Sequence, residues 1–67
     1  MKFLITAVTL STLTRRRRGK ARTDVVDTET PEYFGITDPA VIEYRYEALH
    51  NEPTQSVKVV DVRALSN

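Results

Sequence analysis

The hydrophobic residues divide the chain into strand-like ends and a helix-like middle. Residues 2–14 interleave aliphatic and aromatic residues with threonine and contain no proline, which is typical of a long β-strand. Its apolar side chains fall on both faces, with Phe3 and Ile5 on one and Leu4 and Val8 on the other. We therefore expect that both faces are partly covered, or that a bulge changes the inward side midway.

The basic segment 14–22 predicts the tip of a hairpin. Gly19 is the one residue in it that adopts positive φ at no cost, which suits a tight turn. A return strand is predicted from Ala21 to about Thr28, with Val25 and Val26 as its apolar members. Because that strand is otherwise polar, we expect it at an edge of the sheet.

A polar connection leads to the helix-like middle. Tyr33, Phe34 and Ile36 are predicted to form an apolar plug over one end of the core. Asp38 and Pro39 then predict a helix start, because the Asp38 carboxylate can cap free amides and proline is tolerated at the first helical position.

Residues 39–51 fit two periodicities. On a helix, a polar face lies opposite an apolar face: Glu43, Glu47, His50 and Asn51 against Val41, Ile42, Ala48 and Leu49. On a strand, one face carries Ile42, Tyr44, Tyr46 and Ala48, and the other carries Val41, Glu43, Arg45 and Glu47. The cap, the length of the segment and the stop at Pro53 favour the helix.

The last predicted strand, residues 56–65, is rich in valine on both faces, which is typical of a central strand. We expect it to pair in parallel with the first strand after a crossover helix. The predicted fold is α+β, with a small three-stranded sheet in ββαβ order and one helix packed on one face. The alternative is an all-β fold in which residues 40–49 form a strand.

Length and composition limit the chain to one small domain, residues 1–67. It has no cysteine and a single histidine, so neither a disulfide framework nor a zinc finger is available, and no cofactor is expected. The apolar run before residue 14 is followed by arginines rather than by a cleavage site, and it is too short to span a membrane. We expect a cytoplasmic protein without membrane contact.

The net charge of +1 conceals a strong asymmetry. Residues 1–22 carry seven cationic side chains and no acid, whereas residues 23–67 carry nine acids and three cations. A polyanion would be attracted by the first part and repelled by much of the second, so any such contact must be one-sided.

No catalytic set stands out. His50 is predicted to be a solvated residue near a helix end, and the pair Glu43 and Glu47 is predicted to be a solvated helix face. The two glycines form no phosphate-binding motif, and the acids lack the spacing of a calcium loop. We therefore predict neither an enzyme nor a metal site.

The candidate binding residues are the clustered cations Arg15, Arg16, Arg17, Arg18, Lys20 and Arg22. Arginine forks match phosphate oxygens, so nucleic acid is one candidate partner. An acidic groove on a protein is another, because a cationic edge accelerates association with it. The third interpretation is a solvated loop that protects an edge strand. The absence of interleaved aromatic residues argues against stacking on single-stranded bases.

The layout of hairpin, helix and last strand resembles small early proteins with which some tailed phages inhibit the host RNA polymerase. The matching residues are Lys2 and Phe3 in the first strand, and Val57, Val59, Val62 and Arg63 in the last. The resemblance implies a host protein, RNA polymerase among the candidates, as the partner, the host cytoplasm as the location, and Arg63 as a contact residue. The longer, arginine-rich hairpin departs from that pattern.

The sequence therefore predicts a non-catalytic binding module of the phage-effector type, which acts on a host protein machine through the basic hairpin and the last strand. One alternative is a nucleic-acid-binding protein that uses the same hairpin on phosphates. Another is an assembly subunit whose strands pair between chains as a homo-oligomer.

Overall fold

A computed structural model describes residues 1–65, so Ser66 and Asn67 of the predicted domain 1–67 lie outside the described residues. The elements are β1 (Lys2–Ser11), β2 (Arg17–Asp27), a short 3₁₀ turn (Pro31–Tyr33), α1 (Pro39–His50) and β3 (Gln55–Leu65). The strands form one sheet in the order β2-β1-β3. The predicted α+β fold in ββαβ order is confirmed, and the all-β alternative is wrong because residues 40–49 are helical.

Helix α1 begins and ends at the predicted signals. A carboxylate oxygen of Asp38 accepts a hydrogen bond from the amide of Ala40 (2.9 Å), and Pro39 occupies the first turn. The chain leaves the helix at Asn51, which is extended, two residues before Pro53. The cap and the proline thus fix both ends of the helix from local sequence alone.

The face that α1 buries differs from the prediction. Ile42 and Tyr46, one turn apart, are fully buried, whereas Val41, Ala48 and Leu49 are exposed. Tyr46 can be buried because its hydroxyl donates a hydrogen bond to a carboxylate oxygen of Asp24 on β2 (3.2 Å). The predicted apolar face is therefore wrong except at Ile42.

The core lies between α1 and one face of the sheet. On β1, the odd-numbered residues Phe3, Ile5 and Ala7 are buried under the helix, and the even-numbered residues from Leu4 to Leu10 are half-buried on the opposite side. Full burial of a side chain such as Phe3 or Ile5 contributes about 2 kcal/mol. We call the side of the sheet that α1 does not cover the open face; on β1 it consists of Lys2, Leu4, Thr6, Val8 and Leu10.

Both faces of β1 are partly buried, as expected, although α1 covers only one of them. The alternation of β1 is regular, so the expected change of its inward side at a bulge is wrong. The bulges lie in its neighbours. Residues 19–21 of β2 stand opposite the single residue Val8, and Val60 of β3 is the extra residue between the Ala7–Val59 and Thr6–Asp61 pairs. The apolar residues of β1 on the open face therefore remain partly accessible.

Strand β3 is neither central nor parallel to β1, which corrects two predictions. It lies at an edge and runs antiparallel to β1, starting with Gln55 opposite Ser11. The twelve residues of α1 span about 18 Å, which returns the chain to the hairpin end of the sheet. Strand β2 is the other edge, as predicted.

Two side chains of the helical segment cover the outer edge of β3. The amide of Val59 donates to Glu47 Oε2 (2.8 Å), and the amide of Val57 donates to Asn51 Oδ1 (2.7 Å). These amides point away from β1 and would otherwise be free to pair with another strand. The two hydrogen bonds therefore fasten α1 to the sheet and block part of that edge.

We predict that Glu47→Ala lowers the free energy of unfolding by about 1.5–3 kcal/mol, the range for a hydrogen bond to a charged group. Urea denaturation measures this change. Glu43→Ala is the matched control, since Glu43 lies one turn earlier on α1 and its side chain makes no hydrogen bond within residues 1–65. Equal destabilisation by the two variants would contradict the role given to Glu47.

Candidate functional site

The hairpin tip is an ordered turn that is shorter than predicted. The amide of Ser11 donates to the carbonyl of Arg16 (2.9 Å), and the amide of Arg15 donates to the carbonyl of Ser11 (2.8 Å). Residues 12–16 form the turn, and residues 17–22 belong to β2. The predicted tip at about 14–22 is therefore too long, because the arginine run crosses from the turn into the strand.

Within the hairpin, two residues have positive φ, and the sequence predicts the wrong one for the turn. Arg15 adopts φ 57° in the turn itself, and Gly19 adopts φ 74° in the bulge of β2. The Ser11 hydroxyl stabilises the turn by accepting hydrogen bonds from the amides of Leu13 (3.3 Å) and Thr14 (3.4 Å). Glycine is thus required at the bulge, whereas local hydrogen bonds hold an arginine in the left-handed region at the turn.

The turn is also attached to the body of the protein. The amide of Thr12 donates to the carbonyl of Thr54 (3.2 Å), and the Thr12 hydroxyl donates to the carbonyl of Pro53 (3.0 Å). Both acceptors lie in the loop between α1 and β3. These bonds hold the backbone of the hairpin against the end of the domain, so the points from which its cationic side chains project are fixed.

The hairpin cations are exposed and project to both sides of the sheet. Arg17 lies opposite Leu10 and therefore on the open face, whereas Arg18 lies opposite Thr9 on the helix side. Arg15 and Arg16 are in the turn, and Lys20 is in the bulge. The ion pairs within residues 1–65 join Met1 to Asp27 and Arg63 to Asp61, so none neutralises the hairpin.

Arg22 differs from the other hairpin cations because it contacts the core. It lies opposite Ala7 on the helix side, with its Cζ atom 5.6 Å from the centroid of the Tyr46 ring. The ring of His50 stacks on Tyr46 at 4.2 Å. Burial raises the pKa of the Tyr46 hydroxyl, and the Arg22 charge opposes that rise. Arg22 thus supports the sheet–helix contact.

Arg63 is separated from the hairpin arginines along the sheet. It lies opposite Leu4 on the open face, the same face as Arg17, but the six steps along β1 from Leu4 to Leu10 place it about 20 Å away. Its Nε atom pairs with Asp61 Oδ2 at 2.9 Å, and both side chains are exposed. The structure therefore brings Arg15–Arg18 together at one end and leaves Arg63 towards the other.

A cluster around Tyr33 was not foreseen from the sequence. Of the predicted plug, Tyr33 is buried and Ile36 packs against the core, but Phe34 is 77% exposed, so the prediction is wrong for Phe34. The Tyr33 hydroxyl is buried and has no hydrogen-bond partner within residues 1–65. The hydrophobic pattern of the sequence predicts that Tyr33 covers the core. It contains no signal that the Tyr33 hydroxyl lacks a hydrogen-bond partner.

The described residues contain neither a membrane-spanning helix nor a group of metal ligands. No helix among the described residues combines the length and the apolar character needed to cross a membrane. The described His, Asp and Glu side chains form no group of three able to hold a metal ion. Comparisons with protein-family models, curated proteins and solved structures give no match. The functional interpretation therefore depends on the geometry of the hairpin and the sheet.

The pH dependence of stability tests the environment of Tyr33. Burial, followed by the nearby Tyr46, Asp24 and Glu32, raises its pKa from 10.0 to about 12. Above pH 10 the unfolded chain loses this proton while the folded chain keeps it, so we predict that stability falls between pH 10 and 12, by up to about 3 kcal/mol.

The variant Tyr33→Phe should remove this contribution to the alkaline loss and, by eliminating an unpaired hydroxyl, raise stability at pH 7 by about 1 kcal/mol. Urea denaturation at pH 7, 10 and 12 provides both readouts. Tyr44→Phe is the control, since Tyr44 is exposed, and it should keep the wild-type slope. An identical slope in Tyr33→Phe and wild type would show that Tyr33 is not the group responsible.

Proposed function

We propose that the protein is a non-catalytic binding module whose open face, together with the side of the hairpin that continues it at Arg17, binds an acidic surface of a larger protein. The observation that carries this proposal is that Arg17 of the hairpin and Arg63 of the last strand lie on the same, uncovered face of the sheet. Lys2 and Lys58 share this face, since Lys2 is an even-numbered residue of β1 and Lys58 lies opposite Val8. The basic hairpin and strand β3, the two regions expected to contact a partner, thus contribute to one surface.

The centre of that surface is aliphatic. Leu4 and Val8 of β1 are half-buried there, and Val25, which lies opposite Leu4 on β2, is 52% exposed. An apolar centre with a charged rim is the usual composition of a protein–protein interface. The cationic rim would attract an acidic partner and orient it during association.

The positions of the aromatic and acidic side chains favour a protein over a nucleic acid as the partner. The three most buried aromatic residues, Phe3, Tyr33 and Tyr46, pack in the core, so no aromatic platform for base stacking lies among the open-face residues described above. On the open face, Asp61 pairs with Arg63, and Asp27 pairs with the amino group of Met1. The helical segment carries Asp38, Glu43 and Glu47, which would repel phosphates approaching that side.

The layout that resembles phage inhibitors makes bacterial RNA polymerase, in the cytoplasm of a host cell, the first partner to test. Nucleic acid is the competing partner, because an ordered ribbon with Arg17 and Arg18 on opposite sides suits insertion into a groove. A titration of labelled protein with RNA polymerase, and with duplex and single-stranded DNA, separates the two. Each titration is run at low and at physiological salt, because phosphate contacts weaken steeply as salt rises.

Two charge reversals test the binding face. We predict that Arg17→Glu weakens polymerase binding by at least about tenfold, because it places like charges against an acidic surface. Arg18→Glu is the matched control: it changes the net charge equally on the same strand, but it acts on the helix side. It should retain affinity to within about threefold of wild type, since it affects only long-range attraction.

Three outcomes would contradict the proposal. Equal loss in the two variants would mean that the open face is not the contact surface. Tight binding to DNA with a steep salt dependence, without binding to the polymerase, would favour the nucleic-acid function. Absence of binding to both would remove the polymerase as partner and the hairpin as a phosphate-binding element.

A further inference from the structure

A second candidate site lies at the outer edge of β2, where the end of the strand meets the 3₁₀ turn and the end of α1. A pocket of about 340 Å³ opens there. Three carboxylates line it, those of Asp24, Asp27 and Glu32, together with the apolar side chains of Val26 and Leu49. The pocket contains neither the open-face cations nor the hairpin turn, and it shares only Val25 and Asp27 with the edge of the open face.

The pocket has a strong bias in charge. Its lining includes the three carboxylates and His50 but neither lysine nor arginine. Two positive groups lie near these carboxylates. The amino group of Met1 is 3.8 Å from Asp27, and the guanidinium of Arg22 lies over the Tyr46 ring. Anionic ligands such as phosphates are therefore disfavoured, and a cation is attracted.

An unpaired hydroxyl provides a second, independent indication of a ligand. Tyr33 lines the pocket and is only 6% exposed, yet its hydroxyl has no hydrogen-bond partner among the described residues. Two of the groups that act electrostatically on this hydroxyl, Asp24 and Glu32, line the same pocket. A buried hydroxyl without a partner is costly, so a bound group that supplies an N–H donor would relieve that cost.

The groups that line the pocket favour a guanidinium group over a metal ion. A metal ion is not supported, because no three carboxylate or imidazole groups within residues 1–65 are placed to hold one. Guanidinium offers five N–H donors in one plane, which suits several dispersed oxygen acceptors, and it also packs on aromatic rings. Val26, Leu49 and the Tyr46 ring provide an apolar wall for the methylene stem that carries the guanidinium.

We propose that this pocket binds the guanidinium of an arginine side chain supplied by another protein molecule. The carboxylates of Asp24 and Glu32 pair with its charge, and the Tyr33 hydroxyl accepts a hydrogen bond from one of its N–H groups. The source is either a second copy of this chain, whose hairpin carries four consecutive arginines, or a different protein. Both sources present the same chemistry to the pocket.

A pair of small probes tests the recognition of charge. Butylguanidinium and N-butylurea have nearly the same shape, but only the first is charged. We expect butylguanidinium to produce saturable NMR shifts at Val26 and Leu49, and N-butylurea to bind at least about tenfold more weakly. Equal binding of the two probes, or no saturable shift with either, would overturn the proposal.

Two variants test the residues. Glu32→Gln and Tyr33→Phe should each weaken butylguanidinium binding by about fivefold or more. Tyr33→Phe should at the same time stabilise the free protein, a combination that a purely structural role of Tyr33 does not produce. Unchanged affinity in both variants would mean that the probe binds elsewhere and would overturn the assignment.

Sedimentation at increasing protein concentration distinguishes the two sources. If the arginine comes from a second copy, wild type self-associates, the replacement of Arg15–Arg18 by serine removes that association, and Glu32→Gln weakens it by about fivefold or more. If the probe binds but the protein remains monomeric, the arginine comes from a different protein. Self-association of wild-type strength in Glu32→Gln would exclude the pocket as the contact between copies.

Discussion

A single helix can cover only one face of a sheet, and this limit determines the arrangement of the molecule. Only α1 is long enough to cover the sheet, and it packs Ile42 and Tyr46 against the odd-numbered residues of β1. The hydrogen bonds from Val57 and Val59 to side chains of the helical segment fix it to that side. The opposite face therefore remains open, although Leu4 and Val8 give it apolar character.

The same limit separates the charges. Much of the acidic second part of the chain lies in and around α1, including Asp38, Glu43 and Glu47, and so on the helix side. The hairpin arginines lie at the end of the sheet, where no acid within residues 1–65 forms an ion pair with them. Since the turn is tied to the loop before β3 through Thr12, these cations are held in place rather than on a free tail. A bipolar surface of this kind favours oriented contact with a charged partner.

The sequence predicts correctly the parts of the fold that depend on interactions between residues close together in the chain. The cap at Asp38 and the proline at position 39 gave the helix, and the polar return strand was placed correctly at an edge. Errors arose where tertiary contacts decide. Tyr46 is buried because its hydroxyl donates a hydrogen bond to the carboxylate of Asp24 on β2. Strand β3 runs antiparallel because the helix returns the chain to the hairpin end. Gly19 was assigned to the turn, but the bulge of β2 requires it instead.

Native-state amide hydrogen exchange tests the central claim, that the arginines are carried by an ordered hairpin fixed to the loop between α1 and β3. The amides of Ser11 and Thr12, which donate to Arg16 and Thr54, should be protected to a similar degree as the amides of Val57 and Val59 under the helix. The contradictory result is exchange of Ser11 and Thr12 at the rate of an unstructured peptide while Val57 stays protected. In that case the arginines would lie on a loose loop, and their assigned positions on the two sides of the sheet would have no meaning.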